Sequence, residues 1–453
     1  MTNTTSQYFI TEAVISSALS PPIDISSVIV GIDLFENIKL PYITGRVAIS
    51  DDNDIFTGNT FTFRGTETLR LQIDIPLIGG GRYIITKEFI MNRISSMAKA
   101  NDRAGLVIVD IIEPHGYLDE LKTFSKSYTG TPVDIISKIL TDGNLLNLQG
   151  KFYDYGSPPV QEPIKFTVPY KTPLQAVEMM RARCTTKNGS PYFLYTTVHG
   201  DGIEFNDLDT ILRHRSFNSD APFVESNAFL SSDVTWTTPE FRIIGRKSTR
   251  ESHNALMAIQ NGSIASNITH TDISTNKSVS VDYSVRDTFN ALYSDNILPT
   301  TSYQNVYNHG ARFNNENMDE MKSKYFHQIG LKTYADHNNY FDDDSRSKIK
   351  SRIQNISDRA LLEMNKVAIE MPGYSFLGGY DDSTFAGVGN MVSLIFSGNN
   401  SSTDQFDQRD QVIDTDRSGN YLMTALRHTF SAGKIVTSLD GCKLTENYRE
   451  LSW

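Results

Sequence analysis

Chemistry is first sought where oxygen, nitrogen and sulfur ligands recur at short spacing. Asp414-Thr415-Asp416-Arg417-Ser418-Gly419 opens like a calcium loop, in which alternating oxygens encircle the ion, but the twelfth position holds Ala425 where a bidentate Glu belongs. The missing ligand favours a polar hairpin turn. Asp51, Asp52 and Asp54 crowd carboxylates together as a metal site or an acid–base pair would. Short Asp and Asn side chains also stabilise turns by bonding their own backbone, and a turn is the reading adopted. His428 lies mid-strand in TALRHTFSAG, where a histidine satisfied inside the fold is expected rather than a ligand or general base. The nine histidines include no i, i+4 pair. Cys184 and Cys442 are too few for a disulfide framework and lack metal-ligand spacing, so free thiols are expected.

The commonest catalytic signatures are absent. No GxSxG elbow, HExxH pair or GxxxxGK[ST] loop occurs. Paired carboxylates for glycoside hydrolysis meet only in space and leave no spacing to read. The expectation is therefore a non-enzyme with no catalytic residue, no cofactor and no metal.

The elements that would position any site are mostly strands. At 453 residues the chain exceeds the size at which single cores stop growing, and two to four domains are expected. Its apolar runs, such as Val28 to Val30 or Leu106 to Val109, are strand-sized, so no membrane span is expected. The start MTNTTSQYFI carries no secretory pattern, which predicts synthesis in a cytoplasm. Lys plus Arg is 42 against Asp plus Glu 53, a formal charge of −11, which would repel a polyanion. The basic clusters Arg242 to Arg250 and Lys348 to Arg352 read as solvated faces.

Residues 1–115 read as antiparallel β: Ser27 to Phe35, Thr44 to Ile49, the alternating Thr68 to Ile75, Tyr83 to Ile90 after the Gly79-Gly80-Gly81 turn, and Leu106 to Ile112. Residues 116–230 read as α+β. Thr131-Pro132 and Thr172-Pro173 each open a capped helix, and a hairpin turns at His199-Gly200-Asp201-Gly202. β character returns from Ser231, with strands expected at Val234 to Thr237, Phe241 to Gly245, Ala255 to Gln260 and Ser278 to Val285. It resumes at Val367 to Met371, Met391 to Phe396, Tyr421 to Phe430 and Lys434 to Leu444. The polar segment 286–340 carries no readable fold, and Asp342 to Met364 is expected to be a long helix with acids at its start.

Three runs then carry a resemblance. VGIDLFENIKLPYITGRVAISDDNDIF near the N-terminus, PLQAVEMMRARC leading into SPYFLYTTVHGDGIEF, and SGNYLMTALRHTFSAGKIVTSL at Ser418 to Leu439 resemble the baseplate hub family of T-even-type contractile phage tails. The plan is similar to the hub module of type VI secretion spikes. The motif positions are Glu36, Asn37, Pro41, Tyr42, Gly45 and Asp54, which read as strand and turn framework.

The resemblance implies a mainly β fold with α+β parts. Two small related β-barrel, tube-like domains (1–115, and 231–285 with 365–453) would flank the α+β domain at 116–230, with 286–364 inserted in the second. It further implies a homotrimer whose six modules adapt a sixfold tail tube to a threefold central spike. Tube or tube-initiator proteins and baseplate wedge proteins would be neighbours in the virion, and DNA would pass through the lumen without specific binding. A tail fibre or receptor-binding protein would show short repeats along a shaft, and none is seen. A spike-associated peptidoglycan hydrolase would need a further domain after the second β set.

Overall fold

The computed structural model describes residues 7–18, 20–51, 55–56, 61–76, 81–99, 105–159, 163–186, 189–219, 222–225, 242–250, 255–273, 276–287, 312–313, 315–317, 320–330, 362, 365–377, 386–396 and 417–443. The expected strand at Val234 to Thr237, most of the helix at 342–364 and the Asp414 to Asp416 loop lie outside the described residues.

The first β set comprises β1 (Phe9–Ser16), β2 (Ile23–Asp24), β3 (Ile29–Asn37), β4 (Thr44–Ser50), β5 (Glu67–Pro76), β6 (Arg82–Lys99) and β7 (Gly105–Ile112). Its period-2 pattern buries Ile32 and Leu34 of β3, Val47 and Ile49 of β4, and Leu69, Leu71 and Ile73 of β5 in one core. Glu36 falls in phase with Ile32 and Leu34, a charged residue where alternation reserves an apolar one.

The α+β module has its own core. It contains α1 (Pro114–Glu120), β8 (Ser127–Gly130), α2 (Pro132–Thr141), β9 (Phe152–Asp154), β10 (Ile164–Thr167), α3 (Pro173–Arg181), β11 (Tyr192–Tyr195), β12 (Ile203–Asp207) and α4 (Leu208–Arg213). Thr131 caps α2 in a reciprocal box with Asp134, and the Thr172 hydroxyl accepts from the Gln175 N–H at the start of α3. Ile135, Ile136, Ile139 and Leu140 of α2 pack with Val177 and Met180 of α3. Strand β11 is buried on both faces: Tyr192 and Leu194 enter the module's core, while Phe193 and Tyr195 enter the core of the large sheet.

The remaining strands are β13 (Phe223–Glu225), β14 (Arg242–Ile243), β15 (Gly245–Arg250), then, after α5 (Ala255–Asn261), β16 (Ala265–Asp272), β17 (Lys277–Ser284), β18 (Arg312–Phe313), β19 (Glu316–Asn317), β20 (Lys324–Gly330), β21 (Asn365–Pro372), β22 (Met391–Ile395), β23 (Gly419–Ser431) and β24 (Lys434–Cys442). The first and last β sets are parts of one 14-stranded sheet with the order β14-β13-β22-β23-β3-β4-β7-β6-β5-β1-β2, in which β24 branches from β23, β21 follows β24 and β15 follows β21. The seam is the antiparallel β3–β23 ladder, from Asn37 opposite Ala425 to Gly31 opposite Ser431. Among the described residues the sheet closes into no barrel. Alternation marks which residues face inward but not which strand lies beside which, so two closed sets could not be told from one continuous sheet.

Two local readings change. Ala255 to Gln260, expected as a strand, is the helix α5: Ala, Leu, Met and Gln favour helix, and Gly262, at φ +73°, ends it as a left-handed cap rather than turning a hairpin. Strands β16 and β17 join β20 in a separate three-stranded sheet in which β20 pairs with β16, so part of the segment with no readable fold pairs with a strand that was not expected, within the range assigned to the second β set. Strand β1 was not anticipated. No helix among the described residues is long and apolar enough to cross a membrane.

Candidate functional site

The motif residues gather where the first β set, the α+β module and the last β set meet. Glu36, wholly buried on β3, accepts the Val198 N–H at 2.7 Å through Oε1 and the Val388 N–H at 3.0 Å through Oε2. His428 of β23 places Nε2 3.5 Å from Oε1, and its Nδ1 lies 2.9 Å from Thr437 Oγ1. Burial alone would raise the Glu36 carboxyl, but the hydrogen bond and charge of His428 and the Val198 N–H outweigh it and hold the group below its ordinary value. His199 is pushed down to about 4 by burial, against the pull of Glu36, and is neutral at pH 7. Tyr83 Oη lies 3.2 Å from His199 Nδ1, and burial with the nearby Glu36 charge pushes the phenol up to about 12.

The loop 386–390 brings Val388 to Glu36 because its glycines allow close approach. A Cβ at Gly387 would lie 2.6 Å from Thr197 Cγ2, and one at Gly389, at φ +84°, would strike Tyr195 Oη. A second lock lies beside the first. Lys87 Nζ of β6 reaches Glu113 Oε1 at 3.2 Å, the Thr197 carbonyl at 3.3 Å and the Gly200 carbonyl. Glu113 Oε2 in turn accepts the Ile43 N–H at 2.8 Å.

The other motif positions serve the same seam. Asn37 Oδ1 accepts the Lys39 N–H at 2.9 Å, shaping the turn that leaves β3. The Pro41 carbonyl accepts from His115 Nε2 at 2.6 Å and from Thr196 Oγ1 at 2.9 Å, tying that turn to the module. The Tyr42 ring lies against Gly116, where a Cβ would come within 2.7 Å of it. Gly45 lets β4 pack closely, since a Cβ there would stand 2.6 Å from the Asp33 carbonyl and 3.0 Å from Ile111 Cγ1. Asp54 lies outside the described residues. Asp51 does what the turn reading asked of it, its carboxylate accepting the N–H groups of Ile55 at 2.6 Å and Phe56 at 3.2 Å.

Sequence reasoning found Glu36 but missed His199, Thr197, Lys87, Glu113 and the Val388 loop. The glycines of HGDG and GVGN were the available signal for close approach. Cys184 and Cys442 are buried and in no disulfide, and burial pushes both thiols up to about 12. Chemically, the junction spends its polar groups on each other, fastening three separate stretches of chain.

No family model and no curated protein matches the sequence. Solved structures do. The 43 kDa tail protein of prophage MuSo2 from Shewanella oneidensis aligns with a TM-score of 0.51 at 9% identity, covering 96% of this chain and 98% of that one. A tail protein from Neisseria meningitidis MC58 aligns with a TM-score of 0.49 at 11% identity over 98% and 100%. An Escherichia coli component of the type VI secretion system, itself described as similar to bacteriophage T4 tail proteins, aligns with a TM-score of 0.41 at 10% identity over 97% and 78%. The MuSo2 alignment runs through nearly the whole of both chains, and the fold is shared with that phage tail protein.

Proposed function

We propose that this chain, built on the fold of a phage tail protein, is the structural hub of a contractile-tail baseplate and performs no catalysis. The fold shared with the MuSo2 tail protein along almost its full length carries this reading. The Glu36 junction supports it, because a part that joins tube to spike must pass force between its segments without letting them slip. The buried Glu36 carboxylate, with a backbone N–H from a separate stretch of chain on each oxygen, contributes that rigidity.

In this reading three copies form a ring. Each copy contributes two tube-like β modules, 1–115 and the part of 231–285 with 365–453 that joins the large sheet, β16 and β17 standing apart beside β20, so that six modules face the sixfold tube while the spike meets a threefold surface. The module at 116–230 and the insertion at 286–364 lie outside that inner set. Tube-initiator and wedge proteins flank the ring in the virion tail, assembled in the host cytoplasm, and DNA passes along the axis. Glu36, Asn37, Pro41, Tyr42 and Gly45 are framework positions of the seam.

Co-expression with the cognate spike followed by sedimentation tests the assembly. The expected mass of the hub component is three times 50.8 kDa. A chain that stays monomeric with its spike present overturns the proposal. Images of the particle along its axis are expected to show inner density of pseudo-sixfold symmetry within a threefold periphery.

A further inference from the structure

The outward face of the large sheet carries a charged row that the junction does not use. Register places Thr429, Asp33, Arg46, Asp110 and Arg93 side by side across β23, β3, β4, β7 and β6. Arg427 bonds Asp33 through two nitrogens at 3.0 and 2.9 Å, and Thr429 Oγ1 donates to Asp33 at 2.7 Å. Asp110 is shared, taking Arg46 Nε at 3.1 Å and Arg93 Nε at 2.9 Å. Three guanidiniums thus rest on two carboxylates, and Glu370, two strands beyond Arg427 in the same row, acts on Arg427 from the other side, so Arg46 is the guanidinium with unused nitrogens at the trough.

Exposure divides the two signs. The Arg46, Arg93 and Arg427 side chains are 56%, 68% and 49% exposed, whereas Asp110 and Asp33 are sunk to 15% and 20%. Solvent therefore meets guanidinium, with the carboxylates beneath acting as anchors. Arg46 gives only its Nε–H to Asp110, and its two Nη groups have no partner among the described residues. They flank a trough of about 450 Å³ whose lining includes Gly31, Asp33, Ala48, Ile108 and Ser431.

We propose that this trough docks an extended segment of a partner protein bearing an Asp or Glu, whose carboxylate pairs with the outward fork of Arg46. A fixed guanidinium fork matches a carboxylate bidentately and is strongest when both are partly shielded from water. Charge complementarity favours a single acidic side chain over a nucleic-acid backbone. One carboxylate meets the Nη groups of Arg46 that have no partner among the described residues, whereas a polyanion would also meet Asp33, Asp110, Glu370 and the net negative chain. The trough is the size of a few side chains, within the usual range of small binding clefts. The inference goes beyond the hub reading and does not depend on it.

Selection of a displayed random-peptide library against the full-length chain tests this. Recovered peptides are expected to be enriched in Asp or Glu, and synthetic versions with the acid changed to its amide should bind about tenfold more weakly or worse, the loss of one charge-assisted contact. Arg46→Gln should weaken the acidic peptides equally, and Ala48→Leu, which fills the trough floor, should do the same. Because a larger residue at 48 can disturb the sheet, the exposed Arg46→Gln keeps the test decisive. Peptides without acidic enrichment, unchanged binding to Arg46→Gln, or tighter binding of a DNA oligonucleotide than of any selected peptide would each overturn the proposal.

Discussion

Asp33 and Glu36 stand three positions apart on the same strand and lead opposite lives. Asp33 faces outward, ion-paired to an arginine that is half in water. Glu36 faces inward, bonded to backbone N–H groups 162 and 352 residues away in sequence. Water and salt weaken the first pairing, so it contributes little to stability. In the second, each carboxylate oxygen takes a buried backbone N–H that its removal would leave unpaired. The same side-chain chemistry is therefore dispensable on one face of β3 and structural on the other.

Removing the inward carboxylate should produce the largest effect. Glu36→Ala leaves the buried Val198 and Val388 N–H groups unpaired and takes the carboxylate away from His428 Nε2, and should lower stability by about 3 kcal/mol or more. Urea unfolding of the full chain measures this, and a loss no greater than that of a surface mutation would erase the contrast between the two faces. Next in size is Gly389→Ala, which sets a Cβ against Tyr195 Oη at a left-handed backbone position. It should cost about 1–3 kcal/mol and loosen the 386–390 loop, seen as faster amide exchange at Val388.

Acid should act on the junction. The folded pKa of His199, about 4, lies below its value in the unfolded chain, so the unfolded state takes up its proton first and stability falls as pH drops from about 6.5 to about 4. Glu36 acts in the same direction: its folded pKa is lowered, so its contribution is present above the unfolded carboxyl pKa and is lost as pH falls through the folded value. His199→Gln should flatten the upper part of that acid limb in a series of unfolding curves. A slope that survives the substitution would assign the acid sensitivity to other groups. The smallest effect is expected outside: Arg427→Gln should change stability by less than about 1 kcal/mol, and less still in high salt.

Much of the local structure was legible. Thr131-Pro132 and Thr172-Pro173 announced their helices because a hydroxyl cap and a proline at the first turn satisfy needs set within a few residues. The strands around Ile32, Leu71 and Val109 showed themselves by alternation. The run Ala255 to Gln260 failed that test, for a six-residue apolar stretch has no period long enough to separate helix from strand. Of the junction, the sequence marked Glu36, Pro41 and Tyr42 only as a pattern.

What the chain's own order determined was the inventory: β-rich ends, a capped α+β middle, no paired thiols, and a charged residue set in an apolar phase of β3. What tertiary structure alone decided was adjacency. The β3–β23 ladder joins residues nearly four hundred positions apart, and backbone hydrogen bonding is blind to side-chain identity, so no residue pattern could name that partner. The meaning of Glu36 followed from that pairing, because a buried carboxylate is either a fault or a fastening according to the N–H groups brought to it.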